Sequence, residues 1–426
     1  MSTIARSAPP SNAGSSARAT SGASAHSTDP SGTPAVFLPP TDAGLHDAGV
    51  RLRAGGLVSF PTETVYGLGA NALNEDAVQS IFTTKGRPLT DPLIVHAPTT
   101  DECLSLLELS PAAKPIYTKL ATAFWPGPLT LVGKAVPAIP LKVTAGTGFV
   151  GIRCPEHEIA RRMLVEARVP VAAPSANRFG HVSPTTAMHV HCDLGDHPIA
   201  IINGEEEEGT TCGVGIESTV MKVDDVHEKI IIFRRGGVSE DDIRAVLSGT
   251  GYSLEVLNKT VPMHAENKNV DEELPLSEAV DAVGQQAPGQ CLTHYAPDVN
   301  TSMVVIGRGE GQEEEAAIAG AVGSAPCPCP LSECVVIDFG GRLLWMKNHV
   351  IGYRDLSVDK DFREAARRLF DTLRWTESVE NVKHVLLVDV NSESEGSGAT
   401  GTEHLKAVAD RLFRAASGKY SRVDLR

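Results

Sequence analysis

The chain has 426 residues, 42% of them hydrophobic and 21% charged, which is ordinary globular usage and enough for two or three domains with packed cores. Lys and Arg total 38 against 53 Asp and Glu, a net charge of −15, which argues against bulk salt-driven binding to nucleic acid or an anionic membrane but leaves room for a local basic pocket. Eight scattered Cys are too few for a disulfide scaffold and read as reduced thiols, and no stretch approaches the roughly 18 apolar residues of a membrane span.

Residues 1 to about 34 are rich in Ser, Ala, Gly and Pro and nearly devoid of large apolar side chains. Such a segment cannot offset the entropy of ordering and reads as part of a disordered arm over 1–42. Its Arg6, Arg18 and many Ser also fit a mitochondrial presequence, although no amphipathic Arg-bearing helix is visible. From about residue 48 strand and helix patterns alternate. Strands are predicted at 56–60, 92–97, 129–132, 149–153, 169–173, 199–202, 218–223 and 229–233. Helices are predicted over 76–84, 112–124, 157–166 and 239–247. The spacing indicates an α/β (α+β) domain over 43–254, with a sheet covered by helices. Residues 255–300 carry Asn, Lys, Glu and Pro and read as a linker, apart from an island APGQCLTHYAP at 287–297. Strands at 303–306, 334–339 and 385–390 and amphipathic helices at 361–373 and 405–416 then predict a smaller Rossmann-like α/β domain over 301–426. Residues 309–325 and 392–402 read as long loops, and there is no internal repeat.

Four segments are too polar, or too rich in Gly and Pro, for their places between core strands. PTETVYGLG (61–69) offers the hydroxyls of Thr62, Thr64 and Tyr66, against an ordinary turn capped by its own Thr. KGRP (85–88) sets Lys85 and Arg87 around a Gly, which suits an anion, against simple completion of a helix dipole. PSAN (174–177) presents Ser175 and Asn177 at a strand end, where open α/β sheets commonly bind ligands. TCGVGIEST (211–219), followed by Arg234, offers Ser218 and glycines that admit a ligand close to the backbone. There is no P-loop, no G-x-G-x-x-G after a strand and no G-x-S-x-G elbow. His189 and His191 diverge on a predicted helix, and Cys327, Cys329 and Cys334 lack a fourth ligand at recognised spacing, so no metal site is expected. The acidic run Glu205–Glu208 reads as a solvated loop.

These segments, in order with PLIVH (92–96), WPGPLTLV (125–132), GIRCPEH (151–157), GIESTV (215–220) and FRRGGVS (233–239), resemble the threonylcarbamoyl-AMP synthase family. The linker island and ADRLFRAA (409–416) resemble its long two-domain form. The resemblance implies a YrdC-like twisted mixed sheet around a concave, positive cavity. It also implies a nucleotidyltransferase that turns L-threonine, bicarbonate and ATP into threonylcarbamoyl-AMP and pyrophosphate, for threonylcarbamoyladenosine in tRNA. By resemblance, Lys85 and Arg87 clamp the phosphates with Mg²⁺ and form the catalytic pair. Ser175, Asn177, Ser218 and Arg234 hold the nucleotide; Thr62, Thr64 and Tyr66 line the threonine pocket; His96 and Arg153 meet the threonine amine and carboxylate. The linker would close as a lid carrying His294 and Tyr295 over the cavity. The chain departs from the family pattern at Gln290, Cys291 and Leu292, where basic and aromatic residues are usual, at Arg235, usually Pro, and at Asp410, usually Asn. The implied place is the cytoplasm, with a mitochondrial fraction possible. The product would pass to a tRNA threonylcarbamoyl transferase complex, with no stable nucleic-acid or membrane binding. The competing reading is a non-catalytic RNA-binding module that uses the same cavity by shape.

Overall fold

The structure is a computed structural model and describes residues 34–206, 212–257, 285, 287–288, 294–307, 325–391 and 398–424. The readings of residues 1–33, of most of the linker and of 308–324 and 392–397 lie outside the described residues.

The first region opens with β1 (Val36–Leu38), α1 (Asp42–Arg53), β2 (Leu57–Phe60), β3 (Gly67–Asn71), α2 (Glu75–Lys85) and β4 (Ile94–His96). It continues with α3 (Thr100–Ser105), α4 (Lys114–Phe124), β5 (Leu129–Lys134), β6 (Phe149–Arg153), α5 (Glu158–Ala167) and β7 (Val171–Ala172). It ends with α6 (Ala187–Leu194), β8 (Ile199–Ile202), β9 (Thr219–Asp224), β10 (Lys229–Arg234), α7 (Glu240–Leu247) and β11 (Ser253–Val256). The eleven strands form one mixed sheet in the order β1-β8-β2-β3-β7-β4-β6-β5-β9-β10-β11. β1 and β2 run parallel to β8, whereas β3 is antiparallel to both β2 and β7.

Local sequence explains the elements that hold the site. Asn74 caps α2 by accepting from the N–H groups of Asp76 and Ala77, and Gly86 ends it in the left-handed region at φ 64°. Lys85 is therefore fixed on the last turn and Arg87 just beyond it. β4 and β6 pair in parallel with His96 opposite Arg153, which brings these two side chains to one strand end. Every residue of β2, β4 and β8 is buried, which is why they read as plain apolar runs.

The second region contains β12 (Thr301–Gly307), β13 (Ala325–Pro326), β14 (Cys334–Asp338), β15 (Gly352–Asp355), α8 (Phe362–Trp375), β16 (His384–Leu387), α9 (Leu405–Ala415) and β17 (Tyr420–Asp424). Its six strands are all parallel, in the order β13-β17-β12-β16-β14-β15. Asp361 caps α8, whose Phe362, Ala365, Ala366, Leu369, Phe370 and Leu373 are buried.

Three boundaries differ from the sequence reading. β1 lies inside the stretch assigned to a disordered arm, because Val36–Leu38 can pair with β8. The loop read over 61–69 becomes strand from Gly67, where Gly69 lets β3 pack closely: a Cβ there would stand 2.8 Å from Val171 Cγ1. The first sheet also extends past α7 into β11, which pairs with β10.

The two sheets share buried contacts. Val65, Val182 and Ile216 from loops of the first region join Tyr295, Phe370 and Leu373 in one apolar cluster. Gly215, at φ 75°, meets α8 so closely that a Cβ would lie 2.3 Å from Arg367 Cα. The close approach expected of this glycine is thus to a helix of the second region, not to a ligand.

Candidate functional site

A cavity of about 590 Å³, counting its open mouth, lies at the ends of the central strands of the first sheet. Three guanidinium groups reach it, those of Arg87, Arg153 and Arg234, together with Thr62, Thr64, Tyr66, His96, Ser175 and Ser218. Glu217, Pro288 and His294 complete the polar and linker-derived wall. The overall acidity of the chain thus coexists with a cationic pocket.

Each guanidinium is held in place by its own loop. Arg87 donates from Nε to Asp91 O at 3.1 Å and from Nη2 to Pro92 O at 2.8 Å, and pairs with the buried Asp91 carboxylate at 3.0 Å. Arg153 pairs with Glu63 at 2.7 Å, and its buried Nε has no hydrogen-bond partner among the described residues. Arg234 donates to Ser218 O from Nε and Nη2 and to Ser218 Oγ at 3.2 Å, and burial lowers its pKa. Such fixed donors favour an anion without reorganising when it arrives.

The hydroxyl loop divides its labour. Thr62 Oγ1 donates to Val65 O at 2.7 Å and accepts from the N–H groups of Thr64 and Val65, both at 3.2 Å. Its single proton being used, the 2.8 Å contact between Thr62 and Thr64 has Thr64 as donor. The lone pairs of Thr64 remain for a ligand. Tyr66 donates to Glu205 at 2.8 Å and accepts from Gly204 N at 3.0 Å. Burial and then the Glu205 charge push its pKa up, so the hydroxyl stays protonated.

Three expected ligand groups turn inward instead. Lys85 does not line the cavity: its ammonium donates to the carbonyls of Ser175, at 2.7 Å, and Asn177, and burial followed by the Arg87 charge holds its pKa well below the usual lysine range. Asn177 donates to Arg178 O at 2.7 Å and His181 O at 2.9 Å and likewise lies outside the cavity lining. Tyr295, at φ 64°, is buried against Phe370 with 5.2 Å between ring centroids, and burial raises its hydroxyl to about 12. Its neighbour His294 is the residue that lines the cavity.

Two histidines face the pocket without charge. Burial, then Arg153, draws His96 down to about 3. Burial, then Arg87, holds His294 well below the ordinary histidine range. The Nδ1 of each is buried and unpartnered among the described residues. Unpaired polar atoms of this kind are costly, and they are found where a ligand supplies the missing bond.

Several residues were not singled out from sequence. Glu63 accepts from Arg153 and from Glu156 N at 3.1 Å. Glu217 accepts from Ser183 at 2.7 Å and from Arg411 of α9 through Nε and Nη2, each at 3.2 Å. Arg411 is completely buried, so the second region supplies the counter-charge of an acid in the cavity wall. An acid within an otherwise apolar strand approach, as in GIESTV, is the signal that points to such a partner.

A mixed sheet with a cation-lined cavity, capped by a linker and backed by a parallel α/β domain, defines the two-domain class of YrdC-like proteins. The family model described as telomere recombination (Sua5, YciO and YrdC) matches residues 50–236, and that described as threonylcarbamoyl-AMP synthase, C-terminal domain, matches residues 238–417. The threonylcarbamoyl-AMP synthase of Bacillus subtilis is 40% identical over 61% of this chain and 66% of its own length. That of Pyrococcus abyssi is 38% identical over 59% of this chain and 65% of its own length. The chain therefore spans just under two-thirds of these relatives in alignment. A putative threonylcarbamoyl-AMP synthase of Mycobacterium tuberculosis is 32% identical over 92% of its length. The crystal structure of P. abyssi Sua5 complexed with L-threonine superposes on 92% of this chain and 100% of its own with a TM-score of 0.68 at 28% identity. The chain belongs to the threonylcarbamoyl-AMP synthase family, in its long two-domain Sua5 form.

Proposed function

We propose that this chain is an L-threonylcarbamoyladenylate synthase, which joins L-threonine, bicarbonate and ATP with release of pyrophosphate. The observation that carries the reading is the convergence of Arg87, Arg153 and Arg234 with the open lone pairs of Thr64 on one cavity. It is supported by the relative whose structure was solved with L-threonine.

Threonine's neutral amine takes up the carbon of bicarbonate to form a carbamate, with loss of water. A carbamate oxygen then attacks the α-phosphorus of ATP, and the bond to pyrophosphate breaks. No side-chain nucleophile is required, so positioning and neutralisation of phosphate charge carry the rate. Arg87 and Arg234 neutralise the phosphates, and Ser175 and Ser218 bind the nucleotide. Arg153 takes the threonine carboxylate and Thr64 its amine. His96, held neutral by burial and by Arg153, faces the amine with its unpartnered Nδ1 and adds no positive charge there. Lys85 and Asn177 act as positioning residues, fixing the loop at 174–177 from behind. His294 and Pro288 cover the mouth and exclude water from the labile carbamate and adenylate.

Mg²⁺ enters with ATP as part of the substrate. Glu63 and Glu217, the carboxylates in or beside the cavity, are already committed to Arg153 and Arg411, so the phosphates rather than the protein would hold the ion. Among the described residues no helix is long and apolar enough to cross a membrane. A cytoplasmic enzyme that hands its product to a tRNA threonylcarbamoyl transferase complex fits these features. The test is ATP, Mg²⁺, bicarbonate and each amino acid in turn, read as pyrophosphate. Release with threonine alone supports the proposal; no release, with tight retention of double-stranded RNA, overturns it for the binding module.

A further inference from the structure

Far along the chain from the cavity, the second region brings together three thiols from one eight-residue stretch, 327–334. Cys327 and Cys329 alternate in a stretch punctuated by Pro326, Pro328 and Pro330, which restricts the backbone on either side of each. Bends at Pro328 and Cys329 fold the stretch back on itself just after β13. Cys327 N donates to Arg422 O at 3.1 Å, which ties the stretch to β17. A short 3-10 turn over Leu331–Glu333 then returns the chain to Cys334, the first residue of β14 and fully buried.

The result is a compact set of sulfurs. Cys334 Sγ lies 3.7 Å from Cys327 Sγ and 3.4 Å from Cys329 Sγ, and all three sulfurs fall within 4.8 Å of one another. These are free thiols. Tetrahedral zinc with bonds of about 2.3 Å places its thiolate sulfurs about 3.8 Å apart, so the spacing is that of a metal's coordination edge. A second observation comes from the next strand. His384 of β16 is in register with Cys334, so the two side chains leave the same face of the sheet. Ser302 donates to Ser421 at 2.7 Å and therefore accepts, at 2.8 Å, from His384 Nε2. That fixes Nδ1 as the unprotonated nitrogen, and it is buried with no partner among the described residues.

We propose that Cys327, Cys329 and Cys334 bind a thiophilic divalent cation of the zinc class, clasping edge strand β13 to β14. Binding replaces the thiol protons by metal–sulfur bonds and involves no oxidation. Sequence spacing missed it because the 3-10 turn, rather than a paired C-x-x-C, delivers the third ligand.

The experiment uses the full reduced chain, loaded with Zn(II), desalted into metal-free buffer and assayed for retained metal and for thiols reactive without denaturant. About one zinc per chain is expected, with the half-exposed Cys327 and Cys329 thiols masked until a chelator is added. Cys329→Ser, at a half-exposed position, should lower retention at least about tenfold with an unchanged circular dichroism spectrum. Cys327→Ser should do the same, whereas Cys192→Ser, an exposed cysteine elsewhere, should retain zinc. No retained zinc in the unaltered chain, retention that survives Cys329→Ser, or a disulfide among the three cysteines by mass spectrometry would each overturn the proposal.

Discussion

The two sheets solve different problems. The second is all-parallel, and its internal strands β14 and β16 are wholly buried. The first is mixed and gathers at its strand ends the buried Arg87, His96, Arg153, Glu217 and Ser218, leaving His96 Nδ1, Arg153 Nε and His294 Nδ1 unpartnered among the described residues. The second region leaves His384 Nδ1, on the strand beside Cys334, in the same condition, so the contrast lies in which ligand each sheet's unpartnered atoms face rather than in their presence. The contact between the regions keeps that arrangement standing. Arg411 neutralises Glu217, and Arg374 meets Asp193 at 2.9 Å.

Arg87→Ala presses hardest on this contrast. It removes a phosphate-binding group and breaks the buried ion pair between Arg87 and Asp91. Turnover should fall by about 10²-fold or more, and stability by about 3–5 kcal/mol, read from denaturant unfolding. The double change Arg87→Ala with Asp91→Asn should regain much of the stability and none of the turnover. Recovery of both together would mean Arg87 serves the fold alone.

Arg411→Ala should cost about 3–5 kcal/mol from the other side of the interface, because Glu217 is then left buried and unpaired. A loss under about 1 kcal/mol in chemical denaturation would show that the second region does not brace the cavity.

The two threonines of the hydroxyl loop should part company. Thr62→Ala removes a turn bond network and should lower stability by about 1–2 kcal/mol. Thr64→Ala should instead raise the KM for threonine several-fold with little change in melting temperature. Equal effects from both would erase the distinction.

The smallest effect is a pH dependence at the interface. His181 contacts Asp193 at 2.8 Å and Glu377 at 2.7 Å. Burial pulls its pKa down, but these two hydrogen bonds outweigh burial and the net shift is upward. A raised folded pKa adds stability that is full below about pH 6.5 and is lost as pH rises through the higher folded value. Unfolding midpoints followed across that range should decline for the unaltered chain, and His181→Gln should flatten the decline. An identical slope in the variant would remove His181 as the cause.

Much of this was legible in sequence. The apolar runs of β2, β6 and β8 and the amphipathic faces of α8 and α9 locate both sheets. The motifs at 61–69, 85–88, 174–177 and 215–220 identify the loops that build or brace the cavity. What could not be read is which member of each loop faces inward. Thr62 and Asn177 spend their polar atoms on their own loops and Lys85 spends its ammonium on the carbonyls of Ser175 and Asn177, a matter of hydrogen bonding in the fold rather than residue type. His294 lines the cavity while Tyr295, at φ 64°, packs on Phe370, and sequence alone does not announce a left-handed tyrosine. β13, β15 and β17 escaped notice because they are short or polar and gain their place from pairing.

The carbon of bicarbonate offers the decisive measurement. ¹³C-bicarbonate, L-threonine and Mg·ATP incubated with the chain should yield an adenylate, seen by mass spectrometry, that carries threonine and one ¹³C. With Arg87→Ala and Asp91→Asn combined, the labelled product should disappear while the fold persists. An unlabelled threonyl-adenylate, or no threonine-containing adenylate at all, would contradict the assignment.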